Sequence, residues 1–498
     1  MGRDTVLVEL DEGPADEPLG ALGDLAAGDG NGRHRWRRWV LAAGVAAVVL
    51  GGLGGVQLVV DARQRAAWDA LAVKSDAVLR PLSPTLTVTA QTDLPLQLWT
   101  SAAYGDTAVG LVGTADGSLD AVAVGLDDWQ VRWRQTLIGP MEGMAEGDTR
   151  WPTGDCRRVS DAVAVACLFD DSLVVERDEN GLTSTMVLQG ATAHRLVVLD
   201  PRTGTLLVDQ ELTGDVLGTM ALLPGLAVVA VVDDSADPAA RGVDLVGVGL
   251  DDGVQRWRTP TRAVVDLTRG AYTQLETVGG SVAFATALMA SDNLNTASSS
   301  VTFVGADGAL QRTVSGLETP AWFVDSGDRA SVILSEQTTT VFAADGNDVT
   351  LPAGVTTAAV DDGSLGALWF ADGVAYDGTG ARLWPMPGGT GYNSPVVLRG
   401  TVYVAAYDQV VAVDGATGKE RWRTERTGEP IGDLLTDGSV LAAVVGPGGL
   451  PSRLVAFDLR DGRREWDAAL PAEIGGLYSA LHTLVGWTSS DGVAIVLR

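Results

Sequence analysis

Two cysteines, three histidines and two lysines (Lys74 and Lys419) stand among 498 residues. So few cysteines exclude a disulfide-dense scaffold and any Cys-rich zinc or iron–sulfur site. Basic charge is scarce too. The 35 Lys and Arg face 64 Asp and Glu, a formal net charge of -29, which argues against a nucleic-acid binder because phosphate neutralisation needs clustered cations. A long amphipathic helix is also missing: from residue 97 onward the chain reads as short β-branched runs separated by Gly and Asp. At this length one compact core is not expected, so the chain holds several domains or one large repetitive architecture.

What is present begins with one uncharged run. Residues 39–60 (WVLAAGVAAVVLGGLGGVQLVV) hold no charge, and at about 1.5 Å per residue they are long enough for the roughly 30 Å hydrocarbon core of a bilayer. Arg33, Arg35, Arg37 and Arg38 precede the run, with Trp36 and Trp39 suited to the interface, so the N-terminus is placed on the cytoplasmic side. A cleaved signal peptide would have a shorter apolar region ending in small residues. Residues 1–38 carry eight acids and little apolar periodicity and read as a disordered acidic cytoplasmic tail. Ala43, Ala47, Gly51 and Gly55 form a small-residue stripe through which two such helices could pair as a homodimer. Residues 61–93 read as a stalk or linker, helical until Pro81 and Pro84 stop it.

The rest repeats itself. The unit is an apolar strand, an Asp, a Gly-bearing turn and a strand ending in Arg-Trp, clearest in VVAVDGATGKERWRTE at 410–425. Aligned turn aspartates are Asp127, Asp200, Asp251, Asp307, Asp345, Asp377, Asp414 and Asp458, 32 to 73 residues apart, a spacing that suits one four-stranded sheet per repeat. The Asp, or its neighbour, bonds nearby backbone N–H groups, and a glycine such as Gly204, Gly253 or Gly418 takes the positive φ the turn needs. Trp133, Trp257, Trp384, Trp422 and Trp466 are expected to be buried between adjacent sheets. Such sheets cannot bury both faces alone, and radial stacking protects their edges. The expected fold is therefore all-β, a β-propeller over residues 94–498. The ends of the chain are expected to share a sheet, LPLQLWT at 94–100 pairing with the C-terminal strands.

The pattern LxAxDxxTGxxxW, seen as VVAVDGATGKERW, resembles the repeat of pyrroloquinoline-quinone-type (quinoprotein-like) β-propellers over roughly residues 97–498. The resemblance implies about eight four-stranded blades and a membrane-anchored bacterial protein. That family contains quinone-dependent dehydrogenases and cofactor-free scaffold proteins alike. A dehydrogenase of this kind would need Ca2+ held by carboxylate and amide oxygens, an Asp base and a disulfide between adjacent cysteines. Cys156 and Cys167 are eleven positions apart, and no DxDxDG-like calcium loop appears. His194 and His482 belong to no HExxH, paired-ligand or GxSxG arrangement. No catalytic, cofactor-binding or metal residue is assigned, and no cofactor, neither pyrroloquinoline quinone nor Ca2+, is expected.

If residues 156–167 form a hairpin around Asp161-Ala162, the two sulfurs stand opposite each other and a disulfide can close, contributing about 3 kcal/mol. The alternative is two reduced core cysteines. Polar insertions at 176–193, 233–242 and 290–300 are where recognition residues would concentrate. These features together describe a single-pass protein of a bacterial cell membrane, its propeller outside the cytoplasm. It binds the lipid bilayer through residues 39–60 and an unidentified protein or cell-envelope partner through the ring, as a non-catalytic scaffold. A quinone-dependent dehydrogenase is the alternative.

Overall fold

Alternating Thr, Val and Ala after Pro84 give a strand, Val88–Gln91, that pairs antiparallel with the last strand of the chain, Ala494–Leu497. In this computed structural model the description covers residues 68–497, apart from 92–100, 142–149, 234–240, 266–270, 290–295, 318–320, 324–330, 335–337, 389–392, 489–493 and shorter gaps. The candidate membrane span at 39–60 and the tail before it lie outside the described residues. Among the described residues no helix is long and apolar enough to cross a membrane.

Besides a three-stranded sheet of Arg150–Trp151, Leu173–Glu179 and Leu182–Gln189, nine successive sheets are present among the described residues. They cover residues 102–138, 154–212, 216–265, 271–317, 321–352, 368–385, 396–423, 431–469 and 474–497, and are numbered sheets 1 to 9. Sheet 6 has three strands plus a bridge between Thr356 and Phe370, and sheet 7 gains a short parallel strand, Val360–Asp361. Sheet 9 takes its fourth strand from Val88–Gln91. The ends of the chain thus share a sheet, as the repeat count requires, but through a different segment. Residues 94–100 lie outside the described residues, and the pairing strand comes from what reads as linker.

Each sheet packs on the next through its own apolar cluster. Leu111 and Ala121 of sheet 1 meet Phe169 and Val197 of sheet 2; Phe303 of sheet 4 meets Phe342 of sheet 5; Tyr403 of sheet 7 meets Phe457 of sheet 8. The cycle closes where Val485 and Val496 of sheet 9 meet Val122 and Trp129 of sheet 1. Sandwiched strands are buried on both faces, which is why Leu226–Val232 (LAVVAVV) reads as an unbroken apolar run with every residue buried. Fourth strands alternate instead, as in Val131–Ile138, whose outward positions are exposed. First strands of neighbouring sheets touch one another: 154–158 meets 216–223, which meets 271–278. They therefore line the axis of the ring.

Residues 68–86 do not form a free helical stalk. Residues 71 and 72 are helical, and the described residues from 75 onward lie without helix across the first turns of sheets 8 and 9. Leu71, Val78 and Leu79 are buried there. Leu79 N donates to Thr436 O at 2.8 Å and Arg80 N to His482 O at 3.0 Å. Leu82 N donates to Asp437 Oδ2 at 2.9 Å, and His482 Nδ1 lies 2.9 Å from Val78 O. The unit that packs as the ring accordingly extends well N-terminal of residue 94, because apolar side chains and backbone groups from 71 onward find their partners on it.

Candidate functional site

The repeat motif builds the seams between sheets. In sheets 7 and 8 Asp414 and Asp458 cap their turns, accepting backbone N–H groups of Thr417 at 3.0 Å and Arg460 at 2.6 Å. Each turn then receives the tryptophan of the preceding sheet. Trp384 Nε1 donates to Gly415 O at 2.9 Å, Trp422 to Leu459 O at 3.2 Å, Trp133 to Pro201 O at 2.9 Å and Trp257 to Ala306 O at 2.9 Å. The rings lie on the turn glycines. A Cβ at Gly418 would come within 2.4 Å of Trp384, and Gly418 has φ +67°. Glycine is thus demanded twice, by the backbone and by the ring. Trp384 is buried, whereas Trp133, Trp257, Trp422 and Trp466 are half-buried, because their outer edges reach the ring's exterior.

Other residues fill the same position where Trp is absent. Val208 of sheet 2 lies against Gly253 of sheet 3 and Val349 of sheet 5 against Gly380 of sheet 6. Arg312 of sheet 4 donates to Ala343 O at 3.0 Å, as a Trp would, pairs with Asp348, and stands 5.8 Å over the Phe342 ring. The closing seam is reversed. The fourth strand of sheet 9 (VTAQ) has no Trp, and Trp129 occupies the turn position that is glycine in sheet 3, with φ +54°. Its ring is buried among Leu481, Val485 and Val496, so the turn fills the seam that a strand fills elsewhere.

Turn carboxylates are committed to this framework. The Arg421 guanidinium and the Thr417 hydroxyl hold the Asp414 carboxyl well below its usual range, at about 2. Since the folded pKa is depressed, its contribution is present above the ordinary value of about 4 and is lost as pH falls towards 2. Asp414→Asn is therefore expected to flatten the acid limb of the stability curve between those values in urea titrations at stepped pH.

Charged groups of a different kind occur on the first strands. Arg157 of sheet 2 donates to Asp155 Oδ2 on its own strand at 2.7 Å and reaches past sheet 3 to Glu276 Oε1 of sheet 4 at 3.4 Å. Burial pushes the Asp155 carboxyl up, partly offset by Arg157. Burial draws the Arg157 guanidinium down, but attraction to Asp155 and Glu276 outweighs it and its pKa rises. Next to it the Arg158 guanidinium stands 5.3 Å over the Tyr104 ring. On the first strands of sheets 8 and 9, burial pushes up Asp433 and Tyr478. No local motif announces this group, because its members come from strands about 120 residues apart. Arg157→Met leaves Asp155 and Glu276 without their shared cation. A cost of about 1–3 kcal/mol in urea unfolding is expected, below the value for a fully buried pair because these side chains retain some solvent.

Cys156 and Cys167 face each other on the first two strands of sheet 2 and are bonded, with S–S 2.06 Å and Cα–Cα 4.0 Å. Both are buried in the cluster between sheets 1 and 2. The disulfide is embedded in the core, the channel carboxylates Asp155 and Glu276 are both held by Arg157, and among the described residues no three His, Cys, Asp or Glu side chains gather as a metal site. Of the polar insertions, 176–193 contains parts of strands Leu173–Glu179 and Leu182–Gln189, which form a hairpin; most of 233–242 and 290–300 lies outside the described residues.

Comparison with known proteins places these observations. No curated protein sequence matches the chain. Among solved structures, BamB from Moraxella catarrhalis aligns over 83% of this chain and 98% of its own, with 14% identity and a TM-score of 0.35. The C-terminal WD40 domain of Sif2 aligns over 84% and 99%, with 10% identity and a TM-score of 0.38. The quinohemoprotein alcohol dehydrogenase from Comamonas testosteroni aligns over 83% and 76%, with 13% identity and a TM-score of 0.35. At those scores the architecture rests on the sheets and seams themselves. Residues 371–496, which span the Trp384, Trp422 and Trp466 repeats, match the family model described as outer membrane protein assembly factor BamB, and over that stretch the sequence is similar to the repeat of the pyrroloquinoline-quinone-type β-propellers.

Proposed function

We propose that this chain is a membrane-tethered, non-catalytic β-propeller that works outside the cytoplasm as a binding module for a protein or cell-envelope partner. The nine cyclically packed sheets are read as nine blades, one more than the eight Asp-bearing units, the extra one being the closing sheet. The observation that carries the reading is the destination of the charged side chains. Turn aspartates cap backbone and pair with arginine, and the half-buried Arg157, Asp155 and Glu276 of the first strands pair with one another. The commitment of these charged groups to the framework supports binding over catalysis. The match of residues 371–496 to a family described as an assembly factor supports a protein partner. Most of the net charge falls in residues 61–498, which favours basic partners.

Photo-crosslinking of the intact membrane protein, with probes distributed over the ring, tests this directly. A discrete partner crosslinked from ring positions is the expected result. The purified chain mixed with pyrroloquinoline quinone and Ca2+ provides the opposing test: tight binding with dye-reducing turnover would replace the scaffold by a dehydrogenase.

A further inference from the structure

We propose that the hairpin inserted in sheet 2 accepts a β-strand from a partner protein, which adds to the free edge of residues 182–189 and carries basic residues at both of its ends. The proposal rests on the reading of the ring as a protein-binding module and names how the partner is held.

Strands Leu173–Glu179 and Leu182–Gln189 pair from Leu182↔Glu179 to Gln189↔Leu173. Arg150–Trp151 pairs on the far side of the first strand. Among the described residues the second strand is therefore paired on one side alone. The sequence between the strands is Asn180-Gly181, the dipeptide most favoured in two-residue hairpin connections. The pair flanking such a connection is hydrogen-bonded, and bonded pairs then alternate. Backbone N–H and C=O groups of Thr183 and Thr185 consequently point away from the partner strand, towards the open edge.

This edge differs from the outermost edges of the ring's sheets. The outermost strands of sheets 1, 2, 3, 4 and 8 each carry charge, among them Arg132, Asp209, Arg256, Arg312 and Arg464. Charge on an exposed edge discourages pairing with other chains. Residues 182–189 (LTSTMVLQ) have neither charge nor proline. Among the described edge strands of six or more residues, Val216–Leu223 and Ile474–Ala480 also lack charge, but these are the first strands of sheets 3 and 9, whereas 182–189 belongs to the inserted hairpin.

The flanks specify the occupant. Asp170 and Asp171 lie at the root of the hairpin, and Glu176, Arg177, Asp178 and Glu179 lead to its tip. Both ends carry net negative charge, so an incoming strand is favoured by Lys or Arg at each end. A second copy of this chain is disfavoured. Two identical edges related by a twofold axis run antiparallel, which sets the acidic tip of one against the acidic root of the other.

The test uses the full chain and a fluorescent synthetic peptide with a core of about six alternating Thr and Val residues, flanked by two lysines at each end. Saturable binding by anisotropy is expected. Thr185→Pro removes an outward N–H without breaking a hairpin bond and is expected to weaken binding about tenfold, with the thermal melt of the ring unchanged; flanking glutamates on the peptide have a similar effect. Replacing residues 173–189 by a short Gly-Ser linker abolishes binding. Undiminished affinity in either variant, or for the glutamate-flanked peptide, overturns the proposal. So does a dimer in sedimentation that Thr185→Pro dissociates, since a second copy then holds the edge. If crosslinking to the partner survives removal of the hairpin, the strand acceptor fails while the binding module stands. If no ring position crosslinks to any partner, the broader reading fails.

Discussion

A chain shortened to begin at residue 94 is expected to lose cooperative thermal unfolding, whereas one beginning at residue 65 keeps it. The shorter chain contains all eight aspartate-bearing sheets, so counting repeats alone predicts no difference. The structure predicts a large one. Without Val88–Gln91 the last strand, Ala494–Leu497, has an open edge, and Ile495, Val496 and Leu497, all buried in the closed ring, border it. Loss of residues 68–86 removes three buried aliphatic side chains, Leu71, Val78 and Leu79. At about 2 kcal/mol each they amount to a large part of the 5–15 kcal/mol that typically separates folded from unfolded protein. Circular dichroism melts and limited proteolysis of the two chains decide the matter. A sharp, unshifted melt for the shorter one would mean that the seam between sheets 9 and 1 holds without its strand.

The second large effect belongs to Trp384. Its ring is buried, packs on Gly418 and donates a hydrogen bond to Gly415 O, so Trp384→Ala opens a cavity between sheets 6 and 7 and leaves an acceptor without its donor. A loss of about 3–5 kcal/mol is expected in urea unfolding. Trp257→Ala, at a seam where the indole is more exposed, is expected to cost less than half as much. Equal losses at the two sites would show that the hydrogen bond, common to both, outweighs burial. Gly418→Ala probes the same contact from the other side: both its positive φ and the 2.4 Å approach to Trp384 oppose a methyl group.

These seams explain how much of the molecule could be read from its sequence. The Asp–Gly–Trp unit is local, so strand order and turns follow from spacing, and the ring follows from the need to stack such units. Substitutions such as Arg312 and Val208 at the tryptophan position hide in the same register. They become visible by counting four residues from Gly308 and Gly204. The closing strand carries no local signal. Thr85 to Gln91 follows two prolines and lies amid linker-like sequence, whereas 94–100 ends in a tryptophan that imitates the motif. Pairing across the ring is fixed by the geometry of the last sheet, and no short stretch encodes it. The same holds for Arg157, Asp155 and Glu276. Each is an unremarkable residue of a first strand, and only the curvature that brings sheets 2 and 4 near the axis makes them a group.

Shared possession of sheet 9 by the two ends of the chain also imposes an order of events. Val88–Gln91 leaves the ribosome early, yet the strand it pairs with is the last to be made. Throughout synthesis the early strand has no partner, and the eight sheets behind it can stack in sequence without closing. Ring closure is then a single late step over about four hundred residues, the kind of distant pairing that slows folding. Any product truncated near its C-terminus keeps two open ends, a difference that a quality-control protease can read.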